Sequence, residues 1–317
     1  MKILITESST LIQNGDLSLD VFNRLGEVTV YENISREQLL KEAHLYDAIL
    51  CNKVIIDETV MQTASNLKYV GLFATGYNNV DLATAKKYGI TVCNTAGYST
   101  NAVAQQVMAY ILMHYTKVNE YNSFVKQDGW KKSPIFTSLC FATDEVYGKT
   151  LGIVGYGSIG KTVEKAALGL GMNVQVYTRT PKENTETNFV GFEQLLKTSD
   201  IITLHCPLND SSADMMNKER FSKMKKGAFF INTARGGVVD ESALYDVLKS
   251  GHLSGAAVDV LKQEPMSEKS NLTELDNLII TPHTAWAPLE TRKRLVNLVA
   301  DTLGKFLKGE SVNNLAV

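Results

Sequence analysis

Short apolar runs alternate with amphipathic segments along the first part of the chain. The apolar runs have the length of buried strands, and the segments between them repeat apolar residues at helical spacing. The predicted strands are Lys2–Thr6, Val28–Tyr31, Ala48–Cys51, Tyr69–Ala74 and Thr91–Asn94. The predicted helices are Leu17–Leu25, Arg36–Ala43, Glu58–Thr63 and Leu82–Tyr88. This alternation favours a parallel sheet covered by helices.

A second alternating series begins near residue 150. Its predicted strands are Leu151–Val154, Asn173–Tyr177, Ile201–Leu204, Ala228–Asn232, Gly255–Val258 and Leu278–Thr281. Its predicted helices start at Ser158 and at the segments Phe192–Lys197, Asn217–Met224 and Glu241–Lys249. Five or six parallel strands in one unit suit a doubly wound sheet.

The segments that join and follow the two series complete the predicted organisation. One long helix is expected from Asn101 to Val125, followed by an irregular loop over 128–147. A last helix, Leu289–Lys308, is expected to return to the first domain. The fold class is therefore α/β with two doubly wound parallel-sheet domains. A Rossmann cofactor domain (100–287) is inserted in a flavodoxin-like substrate domain (1–99 plus 288–317).

Composition limits the classes of function. Of the 317 residues, 44% are hydrophobic and 21% charged, as in ordinary soluble globular proteins. The formal net charge is −2, which favours neither nucleic acid nor an anionic membrane. No apolar run approaches the roughly 20 residues of a membrane span. Four scattered cysteines and no signal peptide lead us to expect a cytoplasmic protein without a metal site.

Two nucleotide-binding motifs overlap directly after the strand Leu151–Val154. Gly155, Gly157 and Gly160 have the G-x-G-x-x-G spacing of dinucleotide-binding turns. In that motif the first glycine permits the turn, the second lets the backbone approach a pyrophosphate, and the third lets helix and strand pack closely. Both motifs predict phosphate binding at the start of a helix.

The rival motif uses the same glycines with the two residues that follow them. Residues 155–162 also match G-x-x-x-x-G-K-[ST], ending in Lys161 and Thr162, which is the P-loop pattern of nucleoside triphosphatases. A strand-to-helix turn without any ligand is the third interpretation. Residues elsewhere in the chain are therefore needed to decide whether the predicted ligand is a dinucleotide or a nucleoside triphosphate.

Candidate catalytic residues collect at the predicted strand ends of the second series. A guanidinium at Arg235, flanked by small residues, can hold a carboxylate through two hydrogen bonds. His283 follows a strand end and is the best acid–base candidate among the five histidines, and Glu264 can accept its second ring N–H. Taken singly, each has a plain alternative: a solvated arginine, a structural histidine or a Glu-Pro turn.

A second predicted binding segment lies in the first series. The strand Tyr69–Ala74 runs into a glycine turn at Thr75-Gly76, and ligands of open parallel sheets bind beyond the carboxyl ends of the strands. Backbone N–H groups in such a turn can bind a small anion. Ala74, Thr75 and Gly76 are therefore candidate substrate-binding residues, and a plain strand-to-helix turn is the alternative.

At this point the chain resembles the D-2-hydroxyacid dehydrogenase family over essentially its full length. The motifs that carry the resemblance are residues 155–160, 230–236, 259–265 and 281–285. The resemblance implies that Arg235 binds the carboxylate and carbonyl of the substrate, that His283 is the acid–base group and that Glu264 is its partner. It implies substrate contacts from the backbone near Thr75-Gly76 as well. It further implies a homodimer, with the helix beginning at Asn101 in the interface.

The residues after the second strand of the later series bear on the choice of cofactor. NAD sites usually place an acidic residue there, whereas this chain has Thr178-Arg179-Thr180. Because an arginine with neighbouring hydroxyls suits a 2′-phosphate, we expect NADP(H), with NAD(H) as the alternative. The expected cofactor contacts are Gly155, Gly157, Ser158, Ile159, Gly160, Thr178, Arg179, Thr180, His205, Cys206, Pro207, Ser212, Thr233, Ala234, Asp259, His283 and Ala285.

The expected reaction is hydride transfer between NAD(P)H and a small 2-keto or D-2-hydroxy acid. The segment 94–105 looks most like the glycerate dehydrogenase (hydroxypyruvate reductase) branch of the family, although Gln105 stands where many relatives have Glu. Hydroxypyruvate or glyoxylate is therefore the expected substrate. Two alternatives stay open at this point. One is a sensor or corepressor that binds NAD(H) without turnover, and the other is the P-loop triphosphatase.

Overall fold

The computed structural model describes residues 1–181 and 186–317. These residues form two compact units. The first contains Met1–Ser99 and Ala287–Val317, and the second contains Thr100–Trp286. Each unit is built on one parallel sheet, which confirms the predicted fold class of two doubly wound α/β units.

The first unit contains a five-stranded sheet. Its strands are β1 (Lys2–Ile5), β2 (Glu27–Val30), β3 (Ala48–Cys51), β4 (Tyr69–Leu72) and β5 (Thr91–Cys93). They lie in the order β2-β1-β3-β4-β5, and all neighbours are parallel. β3 and β4 are buried along their full length, because helices cover the sheet. The strand order reverses between β1 and β3, which is the topological switch point of this sheet.

Helices α1 (Arg36–Glu42), α2 (Glu58–Thr63) and α3 (Leu82–Lys87) connect these strands. Asp57 and Asp81 accept N–H groups at the starts of α2 and α3, so both residues cap these helices. The helix predicted over Leu17–Leu25 is wrong: only a short 3-10 helix, Asp20–Arg24, forms there. Of its side chains only Phe22 is buried, so packing gives little support to a longer helix.

The second unit contains a six-stranded parallel sheet. Its strands are β6 (Thr150–Val154), β7 (Asn173–Tyr177), β8 (Ile201–Leu204), β9 (Phe229–Asn232), β10 (Gly255–Val258) and β11 (Leu278–Ile280). The order is β11-β10-β9-β8-β6-β7, so the switch point lies between β6 and β8. The helices are α4 (Thr100–Thr116), α5 (Val118–Lys126), α6 (Ser158–Gly169), α7 (Phe192–Thr198), α8 (Lys218–Lys223) and α9 (Glu241–Lys249).

The single helix predicted from Asn101 to Val125 is also wrong, because it is two helices. Lys117 has a left-handed backbone (φ +53°) and separates α4 from α5. The side chain of Thr116 donates to the Leu112 carbonyl, a local bond that competes with regular helix geometry. α4 buries seven residues and α5 none, so the packing support ends where the helix breaks.

The last helix, α10 (Leu289–Leu307), packs within the first unit, as expected for a discontinuous domain. Phe306 packs against Tyr69 of β4, with ring centroids 4.9 Å apart and the ring planes tilted by 39°. Arg292 is 7% exposed and donates to both carboxylate oxygens of Asp16 at 2.9 and 2.7 Å. This pairing holds the pKa of Asp16 at about 2. In the described part of the chain, no helix is both long and apolar enough to cross a membrane.

Candidate active site

The glycine turn after β6 is shaped for close backbone approach. Gly155 has φ +95°, and a Cβ atom there would lie 2.7 Å from the Cys206 nitrogen at the end of β8. Gly160 packs against the Gly155 carbonyl, where a Cβ atom would come within 2.5 Å. A Cβ atom on Gly157, by contrast, would meet nothing within 4 Å. The first and third glycines are thus required by packing, whereas the second faces space that a ligand can enter.

Helix α6 begins at this turn without a side-chain cap. Its N-cap residue is Gly157, and in the described part of the chain no side chain caps the first-turn amides, which include those of Ser158 and Ile159. Uncapped N–H groups and the helix dipole favour an anion at this position. The cradle therefore has the geometry expected for a phosphate-binding turn.

The two residues that complete the P-loop pattern do not face this cradle. The ammonium of Lys161 lies 5.6 Å from the centroid of the Tyr156 ring, and its side chain is exposed. The Thr162 hydroxyl donates to the Ser158 carbonyl one turn earlier in the helix, at 2.9 Å. A P-loop lysine and threonine would instead contact phosphate and Mg²⁺. The structure therefore favours the dinucleotide motif over the triphosphatase motif.

Two unpartnered polar atoms lie beside the cradle. In the described residues, His205 Nδ1 and Thr233 Oγ1 are the buried side-chain atoms without a hydrogen-bond partner. Leu204 and Asn232 pair in the sheet, so the residues that follow them sit at neighbouring strand ends. His205 Nε2 lies 3.1 Å from the Thr203 hydroxyl, and burial lowers the pKa of His205 to about 3. A neutral imidazole nitrogen and a hydroxyl without partners among the described residues fit a bound polar ligand such as a dinucleotide.

A tight turn after β9 positions Arg235. The buried side chain of Asn232 accepts from the Ala234 amide at 3.0 Å and donates to the Arg235 carbonyl at 3.0 Å. The Arg235 guanidinium donates to the Ala234 carbonyl at 2.7 Å. Gly236 packs directly on the backbone of Leu261, and a Cβ atom there would overlap it. The turn is thereby fixed against the loop that leads to Glu264.

His283 and Glu264 form a direct pair at the same edge of the sheet. His283 Nδ1 lies 2.7 Å from a Glu264 carboxylate oxygen, and the two side chains are 27% and 35% exposed. They follow β11 and β10; β10 is the neighbour of β9, and β11 lies on the other side of β10. The structure thus joins two of the three candidate catalytic residues directly and places the third at the neighbouring strand end.

A buried carboxylate organises the loop that carries His283. Asp259 is 2% exposed and accepts from the amides of Thr284 and Ala285, each at 2.9 Å, and from the Thr281 hydroxyl. The backbone carbonyl of Asp259 accepts the His283 amide at 2.8 Å, which fixes His283 at φ +55°. Asp259, predicted as a cofactor contact, thus also shapes the loop around the imidazole.

The buried hydroxyl of Tyr110 on α4 extends this network by bonding to the Thr281 hydroxyl. Burial raises the pKa of Tyr110. The sequence interpretation missed Tyr110 and Thr281 as supporting residues, because Tyr110 registered only as part of an apolar helical stripe. Its hydroxyl on that buried stripe was the available signal, since a buried tyrosine hydroxyl usually requires a partner.

The segment predicted to recognise the ribose lies after β7. Thr178 is half-buried, whereas Arg179 and Thr180 are exposed, and the Arg179 guanidinium donates to the Ser211 hydroxyl at 3.1 Å. The loop after β8 is held by Ser212, whose hydroxyl donates to the Pro207 carbonyl at 2.7 Å and accepts the Asn209 amide at 2.8 Å. Ser212 therefore shapes this loop through bonds of its own. Burial raises the pKa of the Cys206 thiol, while the nearby Arg179 charge acts in the opposite direction.

The other histidines have structural surroundings. His114 stacks on Phe229 with ring centroids 4.0 Å apart, and its Nε2 lies 2.9 Å from the Ser254 hydroxyl. His44 is exposed. The position of His252 directly after Gly251 predicts a cap for the preceding helix α9, but its Nε2 instead contacts the Met224 carbonyl at the end of α8, at 3.0 Å. Among the described residues, no cluster of acidic, histidine and cysteine side chains could hold a metal ion.

The turn after β4 in the first unit presents free backbone donors. Within the described residues, the N–H groups of residues 74–78 donate to no protein acceptor. The turn is nevertheless held in place: the Thr75 hydroxyl donates to the Thr95 carbonyl at 3.1 Å, and the Asn94 side chain donates to the Thr75 carbonyl at 2.6 Å. Ala74, Thr75 and Gly76 thus lie in a fixed turn whose amides are available to an anion.

Together, the doubly wound sheet, the open glycine cradle and the neighbouring polar strand ends define a dinucleotide-binding α/β protein. The comparisons agree. Residues 108–285 match the NAD binding domain of D-isomer specific 2-hydroxyacid dehydrogenases. A hydroxypyruvate reductase of Blautia hydrogenotrophica is 37% identical over 319 residues, which cover 99% of each chain.

Two solved structures are similar along the whole chain. A protein from Thermus thermophilus has a TM-score of 0.89 and 34% identity, with 99% of both chains covered. An acyclic imino acid reductase, in complex with NADPH and D-Arg, has a TM-score of 0.88 and 28% identity, covering 99% of this chain and 100% of that one. The chain therefore belongs to the D-isomer specific 2-hydroxyacid dehydrogenase family. It is an oxidoreductase that transfers a hydride between a nicotinamide dinucleotide and a 2-keto or 2-hydroxy acid.

Proposed function

We propose that the protein reduces hydroxypyruvate to D-glycerate, with glyoxylate as a second substrate, and that NADPH is its preferred reductant. The observation that carries this proposal is the His283–Glu264 pair, with its 2.7 Å contact, at the strand edge that also bears Arg235 and the glycine cradle. Similarity to a hydroxypyruvate reductase supports the choice of substrate. The reduced nicotinamide, when bound, supplies the hydride.

Arg235 and the turn after β4 are proposed to hold the substrate. A guanidinium binds a carboxylate and polarises a neighbouring carbonyl, because its fixed N–H groups can donate to both. The free amides of residues 74–78, which include Ala74, Thr75 and Gly76, are proposed to bind the substrate carboxylate as well. Both groups place the carbonyl carbon for hydride transfer, and orientation of this kind accounts for a large part of the rate of such reactions.

His283 is proposed to supply the proton. As the carbonyl carbon accepts the hydride, the carbonyl oxygen gains negative charge and takes a proton from the imidazole. Glu264 accepts a hydrogen bond from Nδ1 of that ring, which leaves Nε2 to face the substrate. The left-handed backbone of His283 and its bond to the Asp259 carbonyl fix the direction of the ring.

The preference for NADPH rests on the residues after β7. Arg179, Thr178 and Thr180 offer a positive charge and two hydroxyls, and no carboxylate stands among them to repel a 2′-phosphate. The similar acyclic imino acid reductase was solved with NADPH. Among the described residues, the exposed Arg179 guanidinium donates to the hydroxyl of Ser211, which is also exposed. A side chain in this setting can turn toward a phosphate at little cost.

The deciding experiment is a substrate panel followed by absorbance at 340 nm. Hydroxypyruvate, glyoxylate, pyruvate and bulkier 2-keto acids are each offered with NADPH and with NADH. We expect the highest kcat/KM for hydroxypyruvate with NADPH. Turnover of a bulkier acid in preference to hydroxypyruvate would replace the proposed substrate. No turnover on the whole panel, with cofactor binding intact, would instead favour a binding protein.

We also propose a homodimer. Apolar side chains of Trp130, Ile135, Phe136 and Leu139 are exposed on the irregular segment after α5, and Phe136 and Leu139 are 89% and 86% exposed. Such clustered apolar surface is typical of protein interfaces. Light scattering coupled to size exclusion tests this, since a dimer has twice the mass of the 34.9 kDa chain.

A cytoplasmic location is proposed from the four unpaired cysteines, two of them buried.

A further inference from the structure

The carboxylate of Glu7 occupies a backbone site that has the form of an anion-binding loop. Glu7 follows β1 and is 8% exposed. Its carboxylate accepts the successive amides of Asn52, Lys53 and Val54, which lie 2.9 to 3.1 Å from its oxygens. Three consecutive N–H groups that converge on one carboxylate form the kind of nest that binds free anions elsewhere. Here the protein supplies the anion itself.

The position of this nest in the sheet is informative. β1 and β3 are the strands between which the order of the five-stranded sheet reverses. Open parallel sheets bind their ligands at this switch point, beyond the carboxyl ends of the strands. In this unit, the carboxylate of Glu7, at the end of β1, accepts hydrogen bonds from the amides at the end of β3. An external anion is therefore directed away from the switch point.

The backbone amides of the neighbouring turn after β4 differ from those of the loop 52–54 in having no carboxylate to accept them in the part of the chain that the structure describes. The amides of this turn, residues 74–78, donate to no acceptor within the described residues. Asn79, at the end of that turn, joins the two segments: its side-chain amide donates to the carbonyls of Asn52 and Val54, at 3.3 and 2.8 Å. The loop 52–54 is thus held at its N–H groups by Glu7 and at its carbonyls by Asn79.

We propose that Glu7 is a positioning residue for substrate binding, an inference that rests on the proposed function. Its carboxylate blocks the loop 52–54 as a competing anion site and fixes that loop, through Asn79, against the turn of residues 74–78. The free amides after β4 are then left to bind the substrate carboxylate. Glu7 acts through the loop and does not touch the reacting atoms.

The test uses Glu7→Ala, Glu7→Gln and a control, Glu27→Ala, which removes an exposed carboxylate from strand β2 of the same sheet. We expect Glu7→Ala to raise the KM for hydroxypyruvate by about tenfold, since one buried and two partly buried amides lose their acceptor, while the KM for the cofactor stays within about twofold. Sodium acetate matches the atoms removed by the alanine substitution. It should raise the Tm of Glu7→Ala and lower its KM.

The other variants separate the outcomes. Glu7→Gln should also have a raised KM for hydroxypyruvate. Its side chain fills the space of the carboxylate, so acetate should not lower that KM. If Glu7→Ala does not fold, the KM of Glu7→Gln alone tests the proposal. Wild type and Glu27→Ala should show only competition by acetate with the substrate. An unchanged KM in a destabilised Glu7 variant would overturn the proposal and leave Glu7 a structural residue. So would an acetate effect on Tm that is equal in Glu7→Ala and Glu27→Ala.

Failure of the proposed function has a different signature. A wild-type chain that turns over no 2-keto acid would overturn that function. The Tm response of Glu7→Ala to acetate needs no turnover, so it still decides whether Glu7 fills an anion site. The two conclusions therefore fail through different measurements.

Discussion

The two parallel sheets use the same topological position in opposite ways. In the six-stranded sheet, the switch point between β6 and β8 carries an open glycine cradle. The buried atoms His205 Nδ1 and Thr233 Oγ1 nearby have no partner in the described part of the chain. In the five-stranded sheet, the switch point between β1 and β3 is filled by the carboxylate of Glu7. One unit leaves its donors for an external ligand, and the other satisfies them internally.

The difference shows that topology determines where donors converge but not whether a ligand binds there. Parallel strands and short turns bring backbone N–H groups together at both switch points. The residue type at one position, a glycine at 157 or a glutamate at 7, then decides whether the donors stay free. Similar folds therefore need to be compared residue by residue at these edges before a function is assigned to either.

The largest expected effect comes from substituting His283. This substitution tests whether the reaction takes place at the carboxyl ends of the strands in the six-stranded sheet. His283→Ala should lower kcat by about 10²- to 10⁴-fold, because the developing alkoxide loses its proton donor. The dissociation constant of NADPH, measured by fluorescence titration, should stay near the wild-type value. Turnover at the wild-type rate would remove His283 from the proposed mechanism.

The glycines of the cradle separate packing from ligand access. Gly155→Ala should destabilise the protein by about 2–4 kcal/mol, because it adds a Cβ atom at positive φ against the backbone of Cys206. Gly157→Ala should fold with a Tm near that of wild type but raise the dissociation constant of the cofactor by about tenfold or more, since its Cβ enters the ligand space. Thermal melts and cofactor titration of both variants are sufficient. Equal losses of stability in the two would contradict the distinction.

A smaller effect is expected from substituting Arg179, which tests the proposed preference of the six-stranded unit for NADPH over NADH. Arg179→Ala should lower kcat/KM with NADPH by about tenfold and leave kcat/KM with NADH nearly unchanged, because only the 2′-phosphate needs the guanidinium. Lys161→Ala, at an exposed position on α6, is a matched control for the loss of one positive charge. A wild-type preference for NADH that survives the Arg179 substitution would refute the assignment.

The smallest expected effect concerns stability at the opposite, amino edge of the six-stranded sheet. Burial, with help from Lys117 and Lys149, lowers the pKa of His114 to about 4, while Asp144 opposes this shift. The unfolded chain therefore binds more protons than the folded one between pH 6.5 and about 4, and stability falls as the pH falls through that window.

His114→Gln should reduce this acid loss by about 1–2 kcal/mol, after allowance for solvent around a partly exposed ring. Urea titrations at neutral pH and at about pH 5 measure the difference. The exposed His44, substituted in the same way, provides the control. A variant with the wild-type pH dependence would show that another group causes the acid loss. His205, with its pKa lowered to about 3, would be the next candidate.

Local chemistry made the strands, caps and glycine turn predictable. The limits of β3, β7, β8 and β10, and those of α2 and α9, agree with the sequence pattern, because apolar period and capping residues lie within a few positions of each other. The break at Lys117 was missed because it depends on where packing ends. The glutamate nest and the Tyr110–Thr281 bond join residues far apart in sequence, so no local pattern contains them.

The candidate site likewise contains residues that the sequence could predict and residues that it could not. Arg235, Glu264 and His283 could be named from their positions at strand ends and from the family resemblance, and the contact between Glu264 and His283 is present in the structure. Their catalytic roles stay predictions. The turn-forming bonds of Asn232 and the carboxylate of Asp259, which hold these residues in place, required three-dimensional contacts to be seen.

The discontinuous first unit has a consequence for synthesis. Residues 100–286 are contiguous, so the whole six-stranded sheet can leave the ribosome before α10 exists. The five-stranded sheet, in contrast, obtains Phe306 beside Tyr69 and the Asn314 side chain on the Val92 amide only from the final residues. During translation, the first residues to emerge are therefore among the last to reach their native neighbours.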